Sequence, residues 1–507
     1  MKRLKVFLIN TIILTIVSLI LRSISMVFDI YLANIIGSEG IGMFGLVISI
    51  YMLFITFANS GINLATTRLV SEELAINSNT GAKIAIKKCL ILSILFGFIS
   101  SILLFILAPI ILESFLHNRI SLHVLYLIAA SLPFTAVTMC LNGYFTAVRR
   151  PYKTSSADVL SLITKIVTIL LLIPYFNLSD LNQIILVLVL GTTISEVIDF
   201  GYTYTLYLID KRKLDNSRLV KDTFFRKIFR ISLPVAFTSY IRSGLTTLKQ
   251  LLIPLQLEKS GLTCTASLSA YGMINGMAMS ILLFPGLIIN TVASLLIPEF
   301  ARYNVKKDFK KMNSVINTLF YLIILFSLFI IGFFLMFSDE ISLLAYNNTN
   351  VGNFLLILCP LVGLMYLDHI IDAILRGIDK QVKVMYCNIA DLFISVILIY
   401  FLLPIHGILG YILVIYVSEI LNTSISTYQL YRATHFKFDI WKQFILPCIC
   451  LIISMIITHY ISIKTDNLFS YLFINSLIFL GLYTFLNIIL IFNSKVRFNN
   501  SKYTLKY

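Results

Sequence analysis

Arg22 and Asp29 stand seven residues apart inside LRSISMVFDIYLANIIG (21–37), a stretch that is otherwise largely apolar. A charge at the middle of a membrane helix costs roughly 2.5–3.5 kcal/mol on insertion scales, so each of these residues needs a reason to be there. Seven residues along a helix return to nearly the same face, so Arg22 and Asp29 share a stripe with Thr15. The spacing recurs at Arg242 and Lys249, near Thr238, Ser239 and Thr246, and again at Asp158 and Lys165 with Ser161 between them. A guanidinium presents a fork of donors that fits phosphate oxygens bidentately. Two of them suit a diphosphate better than they suit a cationic drug. Arg22 and Arg242 are therefore the expected diphosphate-binding residues, with Lys249 and Lys165 assisting. Carboxylates at the same depth can take up a cation or a proton. Asp29, Glu196, Asp199, Glu419, Asp391 and Asp372 are the candidates for ion coupling or gating. Asp368 and His369 lie beside Asp372. A structural reading competes with this one: Arg22 could bridge Glu196 and Arg242 could bridge Glu419, each pair holding its own half of the protein together.

No other chemistry stands out. There is no P-loop, no GxSxG and no metal-ligand cluster. The six histidines are dispersed, and only His369 keeps company with carboxylates inside an apolar run. The seven cysteines form no CxxC pair, and Cys448 and Cys450 point to different sides of a helix, so bystander thiols are expected. Neither a catalytic nor a metal site is expected.

The elements that must position these charges are membrane spans. Of 507 residues 58% are hydrophobic and only 13% charged, about half the charged share of a soluble domain. A span needs about 20 mostly apolar residues, and fourteen stretches qualify: 7–33, 41–64, 86–108, 121–147, 155–175, 183–208, 231–257, 267–297, 314–337, 352–375, 384–404, 408–430, 442–463 and 468–492. The basic, apolar start MKRLKVFLINTIILTIVSLI carries no small-residue cleavage site and reads as a retained first span. With the N-terminus inside, only Arg119, Lys259 and Lys464 of the 40 Lys and Arg fall in outside loops. Arg22, Lys165, Arg242 and Lys249 lie within spans, and all the others are inside. This alternation follows the positive-inside rule and places both termini in the cytoplasm. It also accounts for the +16 net charge through topology and anionic lipid, so no nucleic-acid partner is expected.

The chain repeats itself. Residues 21–36 align with 241–256, placing Arg22 on Arg242 and Asp29 on Lys249. Residues 42–73 align with 269–300, 146–153 with 376–383, and 194–208 with 417–431, which places Glu196 on Glu419. Six spans per copy is an even number, so both copies keep one orientation. The expected architecture is two six-helix lobes about a pseudo-two-fold axis along the membrane normal, with two extra spans. The divisions are an N-lobe (1–209), a basic amphipathic cytoplasmic linker (210–230), a C-lobe (231–431), and the last two spans with a tail (432–507). The stripes on spans 1 and 7 would then face a shared cleft. The longest outside loop, SDEISLLAYNNTNVG (338–352), has no room for a catalytic domain.

Fourteen spans arranged as 6 + 6 + 2 resemble the multidrug/oligosaccharidyl-lipid/polysaccharide flippase superfamily, and within it the stage V sporulation protein B group. The residues that carry the resemblance are 35–73, AYGMINGMAMSILLFPGLIINTVASLLIPEFAR (270–302) and LNGYFTAVRRPYKTSSADVL (141–160). The resemblance implies a V-shaped helical protein working by alternating access in the cytoplasmic membrane. Its implied substrate is an undecaprenyl-diphosphate-linked oligosaccharide, such as a peptidoglycan precursor of the cell wall or spore. Arg22 matches a basic residue of these relatives. Asp29 stands where they carry a second positive charge, and Asn63 stands where a proline is usual. Ser470–Phe492 is apolar enough for the groove that the last two helices of lipid II flippases offer to a polyprenyl tail. The partners implied are the lipid-linked substrate and the bilayer, and the cofactor is none beyond Na+ or H+ as coupling ion. Two other readings compete. A cation-coupled drug exporter of the same fold would use Asp29, Asp368, Asp372 and Asp391 to attract cations. A glycan polymerase or ligase would need a large reactive outer loop, which the chain does not supply.

Overall fold

The computed structural model describes residues 2–76, 78–117, 119–176, 180–211 and 224–503, with side chains between 17 and 489. Most of the linker expected at 210–230 therefore lies outside the described residues, as does the side chain of Thr15. The described secondary structure is helical throughout. Eleven helices among the described residues are long and apolar enough to cross a membrane. This is the all-α, multi-pass architecture that the composition requires.

The first compact unit comprises residues 1–272 and 396–408. It contains α1 (Lys2–Asn59), α2 (Ile62–Ala75), α3 (Asn79–Phe115), α4 (Leu122–Ala147), α5 (Pro151–Leu172), α6 (Leu181–Lys211), α7 (Phe224–Lys259) and α8 (Cys264–Tyr271). The spans expected at 7–33 and 41–64 are joined without a loop. Helix α1 runs through both and kinks at Gly37, whose φ of 71° and ψ of 176° suit a residue lacking Cβ. The second of these spans ends earlier than expected. Ser60 and Gly61 both take left-handed φ values, and the chain restarts as α2. Helices α2, α3 and α4 close a core around Leu69, Ile86, Cys140 and Tyr144, joined by Tyr207 of α6 and Ile228 of α7.

The second unit comprises residues 273–395 and 409–507. After a π-helical segment (272–278) come α9 (Met279–Leu283), α10 (Gly286–Lys306), α11 (Phe309–Tyr346), α12 (Thr349–Leu358), α13 (Val362–Gly377), α14 (Gln381–Thr434), α15 (Leu446–Ile461) and α16 (Leu468–Tyr503). Helix α14 begins in the second unit, passes through the first at 396–408 and kinks at Gly407. The span expected at 267–297 is interrupted by the π segment and again at Phe284–Pro285. The outer loop expected at 338–352 is mostly helix. Helix α11 continues to Tyr346, and only Asn347, in a left-handed turn, and Asn348, which caps α12, separate the two helices. At its other end α11 is capped by Asp308, which accepts from the Lys311 backbone N–H at 3.2 Å. That bond is the main force holding the Asp308 carboxyl below its ordinary range. Cys450, Leu451, Phe479 and Tyr483 of α15 and α16 pack on α11 around Ile324 and Leu328.

The internal repeat is visible in the helix ends. Helix α4 ends at Ala147 and α5 starts at Pro151; α13 ends at Gly377 and α14 starts at Gln381. Both turns are Schellman caps. Arg150 N–H donates to Phe145 O (2.9 Å) as Lys380 N–H does to Leu375 O (2.8 Å), and Arg149 and Asp379 are both left-handed. At the first turn Asp210, only 3% exposed, accepts from Arg150 (2.8 Å) and Lys153 (2.7 Å). Asp210→Asn is expected to cost about 2–3 kcal/mol, because Lys153 is left buried without a counter-charge. The figure falls below that for a fully buried pair because Arg150 is 41% exposed and keeps its water. Denaturation of the detergent-solubilised protein reads this directly, and a loss under 0.5 kcal/mol would contradict it.

Candidate functional site

The charges singled out in the first half of the chain converge. On α1, Arg22 and Asp29 are both exposed along one stripe. Lys165 of α5 and Arg22 are the cations whose fields act on Asp29. Lys165 also acts on Glu196 of α6, together with Asp199 and Asp158. One lysine thus sits within electrostatic range of two carboxylates on different helices.

Glu196 does not pair with Arg22. Its Oε2 accepts from the Thr135 hydroxyl of α4 at 3.2 Å. Thr135 and Ser131 both bond the Tyr51 hydroxyl of α1, at 3.1 and 3.0 Å, so a buried chain of hydroxyls leads from α1 through α4 to Glu196. Asp199 is buried and accepts from Thr203 at 3.3 Å. Sequence reasoning missed Tyr51, Ser131 and Thr135. The signal was present: Ser131 and Thr135, four apart, form a polar stripe on an apolar helix. Among the described residues no carboxylate is in ion-pair contact with Arg22 or Arg242.

Helix α7 carries Arg242, exposed, and Lys249, half-buried. Its adjoining face runs antiparallel to the second half of α1 along a ladder of hydroxyls. Thr247 donates to Ser49 O (3.0 Å), Thr56 to Ser243 (3.1 Å), and Ser60 meets the Tyr240 hydroxyl. At the far end of this helix Ser38 meets Ser269 of α8 at 2.5 Å. There the backbones touch: a Cβ on Gly42 would overlap the Leu268 carbonyl, and one on Gly272 would meet the Gly42 nitrogen at 2.8 Å. Gly42 and Ser269 are equivalent positions of the repeat.

The second unit holds its own acidic group. Asp368 of α13 accepts from the Asn422 amide (2.9 Å), and Asp391 of α14 accepts from Ser418 (2.7 Å), which is bonded in turn by Ser395 (3.1 Å). Asp372, buried, takes Arg376 at 3.4 Å and the Asn388 amide at 3.5 Å. The fields of Asp372 and Asp391 both reach Asp368. Arg376 is thus in ion-pair contact with Asp372, while Asp368 and Asp391 are held by an amide and a hydroxyl. Glu419 is half-buried on α14, and His369 is exposed. The four expected phosphate ligands all belong to the first unit, whereas the candidate carboxylates divide between the two.

Long apolar helices, kinked rather than looped, with charges gathered inside them, define a multi-pass helical membrane protein. The chain belongs to the polysaccharide biosynthesis protein family, whose model matches residues 7–304; the MatE model matches 260–401. It is similar to stage V sporulation protein B of Bacillus subtilis (strain 168), 22% identical over 467 residues and covering 90% of each chain. Among solved structures it resembles the lipid II flippase MurJ in an inward closed conformation (TM-score 0.70, 15% identity, 96% of this chain and 100% of that one). It also resembles an inward-facing MATE family transporter of the MOP superfamily (TM-score 0.63, 15% identity, 82% and 95%). Its fold is that of the MOP superfamily.

Proposed function

We propose that this protein is a flippase for a polyprenyl-diphosphate-linked oligosaccharide, moving it across the cytoplasmic membrane by alternating access, and that it is a transporter rather than an enzyme. The observation that carries this reading is the Arg22 guanidinium, placed in a span without an ion-pair partner among the described residues while the carboxylate Glu196 is held by Thr135. A cation kept at such cost is available to an anionic group of the substrate. Membership of the polysaccharide biosynthesis family and likeness to a lipid II flippase supply the substrate class. Arg22 and Arg242 hold the diphosphate, and Lys165 and Lys249 assist. The tail lies along α16, which leaves Phe473, Leu477 and Leu480 exposed. Fourteen crossings follow if α1 and α14 each count as two spans, broken at Gly37 and Gly407, and α7 crosses despite its charges. Both termini then face the cytoplasm. The lobes are 1–209 and 231–431, followed by the last two spans.

The test is binding of a polyprenyl-diphosphate disaccharide to the purified protein. Binding that both Arg22→Ala and Arg242→Ala weaken, with folding intact, supports the flippase. Binding of organic cations in its place would favour a drug exporter. Coupling falls to the carboxylates, with Na+ or H+ as the ion. Asp391→Asn and Asp372→Asn are expected to abolish the gradient dependence of flipping in proteoliposomes while leaving substrate binding within about twofold, since the diphosphate is assigned to the four basic residues and not to these carboxylates. Unchanged gradient dependence in both variants would remove them from the coupling path.

A further inference from the structure

The turn between α13 and α14 repeats the turn between α4 and α5 in backbone and in two of its cations, with Asp379 in place of Arg149. Lys380 and Lys383 stand where Arg150 and Lys153 stand. What differs is the counter-ion. Asp210, one residue before the end of α6 at Lys211, corresponds to Ala433, one residue before the end of α14 at Thr434. The second unit therefore keeps the cations of the turn and lacks the buried carboxylate that satisfies them in the first. Beside them Arg432 adds a third charge, and among the described residues none of the three has an ion-pair partner.

These three residues line a cavity of about 840 Å³. Asn304 and Gln429 add polar groups to its wall, while Met312, Leu375 and Ile425 give it an apolar side. Asp379 also lines it, leaving two net positive charges. We propose that this cavity binds the phosphate headgroup of an anionic membrane lipid, the external anion taking the role that Asp210 plays in the first unit. Lysine and arginine at the head of a concave site provide charge-assisted donors to phosphate oxygens. The apolar wall, at the ends of membrane helices, suits a lipid better than a free ion. Phosphate is the shared chemistry, and the two sources are separable by experiment.

The full-length protein is purified in detergent, and retained phosphatidylglycerol and phosphatidylcholine are measured by native mass spectrometry during titration. The wild type is expected to retain phosphatidylglycerol selectively. Combined Lys380→Gln, Lys383→Gln and Arg432→Gln substitutions are expected to weaken it roughly fivefold per cation removed, the factor that corresponds to ~1 kcal/mol each. All three side chains are exposed, so the variant keeps its fold. Ala433→Asp, which restores the missing counter-ion, is expected to weaken binding at least tenfold without removing a cation. Lys464→Gln, in another loop, is expected to leave it unchanged. Equal retention of the two lipids by the wild type, or unchanged binding in the triple variant, would overturn the site. Inorganic phosphate displacing the lipid at micromolar concentration would overturn the lipid assignment and make the cavity a site for the free ion.

Discussion

Arg22→Ala is expected to weaken binding of a polyprenyl-diphosphate disaccharide about 10- to 100-fold and to slow flipping in parallel. A charge-assisted hydrogen bond contributes about 1.5–3 kcal/mol, which corresponds to roughly 10- to 100-fold in affinity. Because no carboxylate is in ion-pair contact with Arg22 among the described residues, its removal strands no buried counter-charge, and stability should move by no more than about 0.5 kcal/mol. That combination separates a ligand-binding arginine from a structural one. A structural arginine would lose stability first and affinity only as a consequence. Arg22→Lys is expected to recover part of the affinity, since a point charge replaces the fork. Arg242→Ala should match Arg22→Ala. The measurement is titration of the purified variants alongside their denaturation curves. Full binding in both alanine variants would return the arginines to the fold.

Gly272→Val is expected to have an effect of similar size, by a different route. In the observed structure Gly272 lies against Ser38 and Gly42, and a side chain there forces α8 away from α1. Overpacking of this kind costs about 1–3 kcal/mol. The cost falls only on the arrangement in which the two helices touch, so the population of that arrangement should drop roughly 5- to 150-fold. The proposed alternating access needs both arrangements, and flipping should fall with it. A cysteine placed at Ser269, where the hydroxyl now meets Ser38 at 2.5 Å, reports the change. Its labelling by a water-soluble thiol reagent should quicken at least fivefold in the Gly272→Val background. An unchanged labelling rate with full transport would mean that the glycine contact does not gate the cycle.

Much of this was legible in the chain itself. Apolar runs of span length must become helices in a bilayer, because no water is there to satisfy the backbone. Spans and the all-helical class follow from hydropathy and spacing alone. The heptad placing Arg22 and Asp29 on one face needs only helical geometry. The matched Schellman turns at Arg149 and Asp379 were announced by the alignment of 146–153 with 376–383. What stayed illegible depends on partners distant in sequence. Periodicity could suggest that Arg22 meets Glu196, but which donor reaches Glu196 is settled by how α4 packs on α6, and it is Thr135. Loops expected from gaps in hydropathy proved to be kinks, as at Gly37, because a single residue with free φ and ψ can turn a helix without ending it. Composition and local geometry determined that this chain is a repeated bundle of membrane helices carrying charges inside. Tertiary packing alone decided which charges are satisfied, at Asp210 and Glu196, and which are left for something else to meet, at Arg22 and around Ala433. A charge is free or paired only in relation to neighbours that the fold brings from far along the chain.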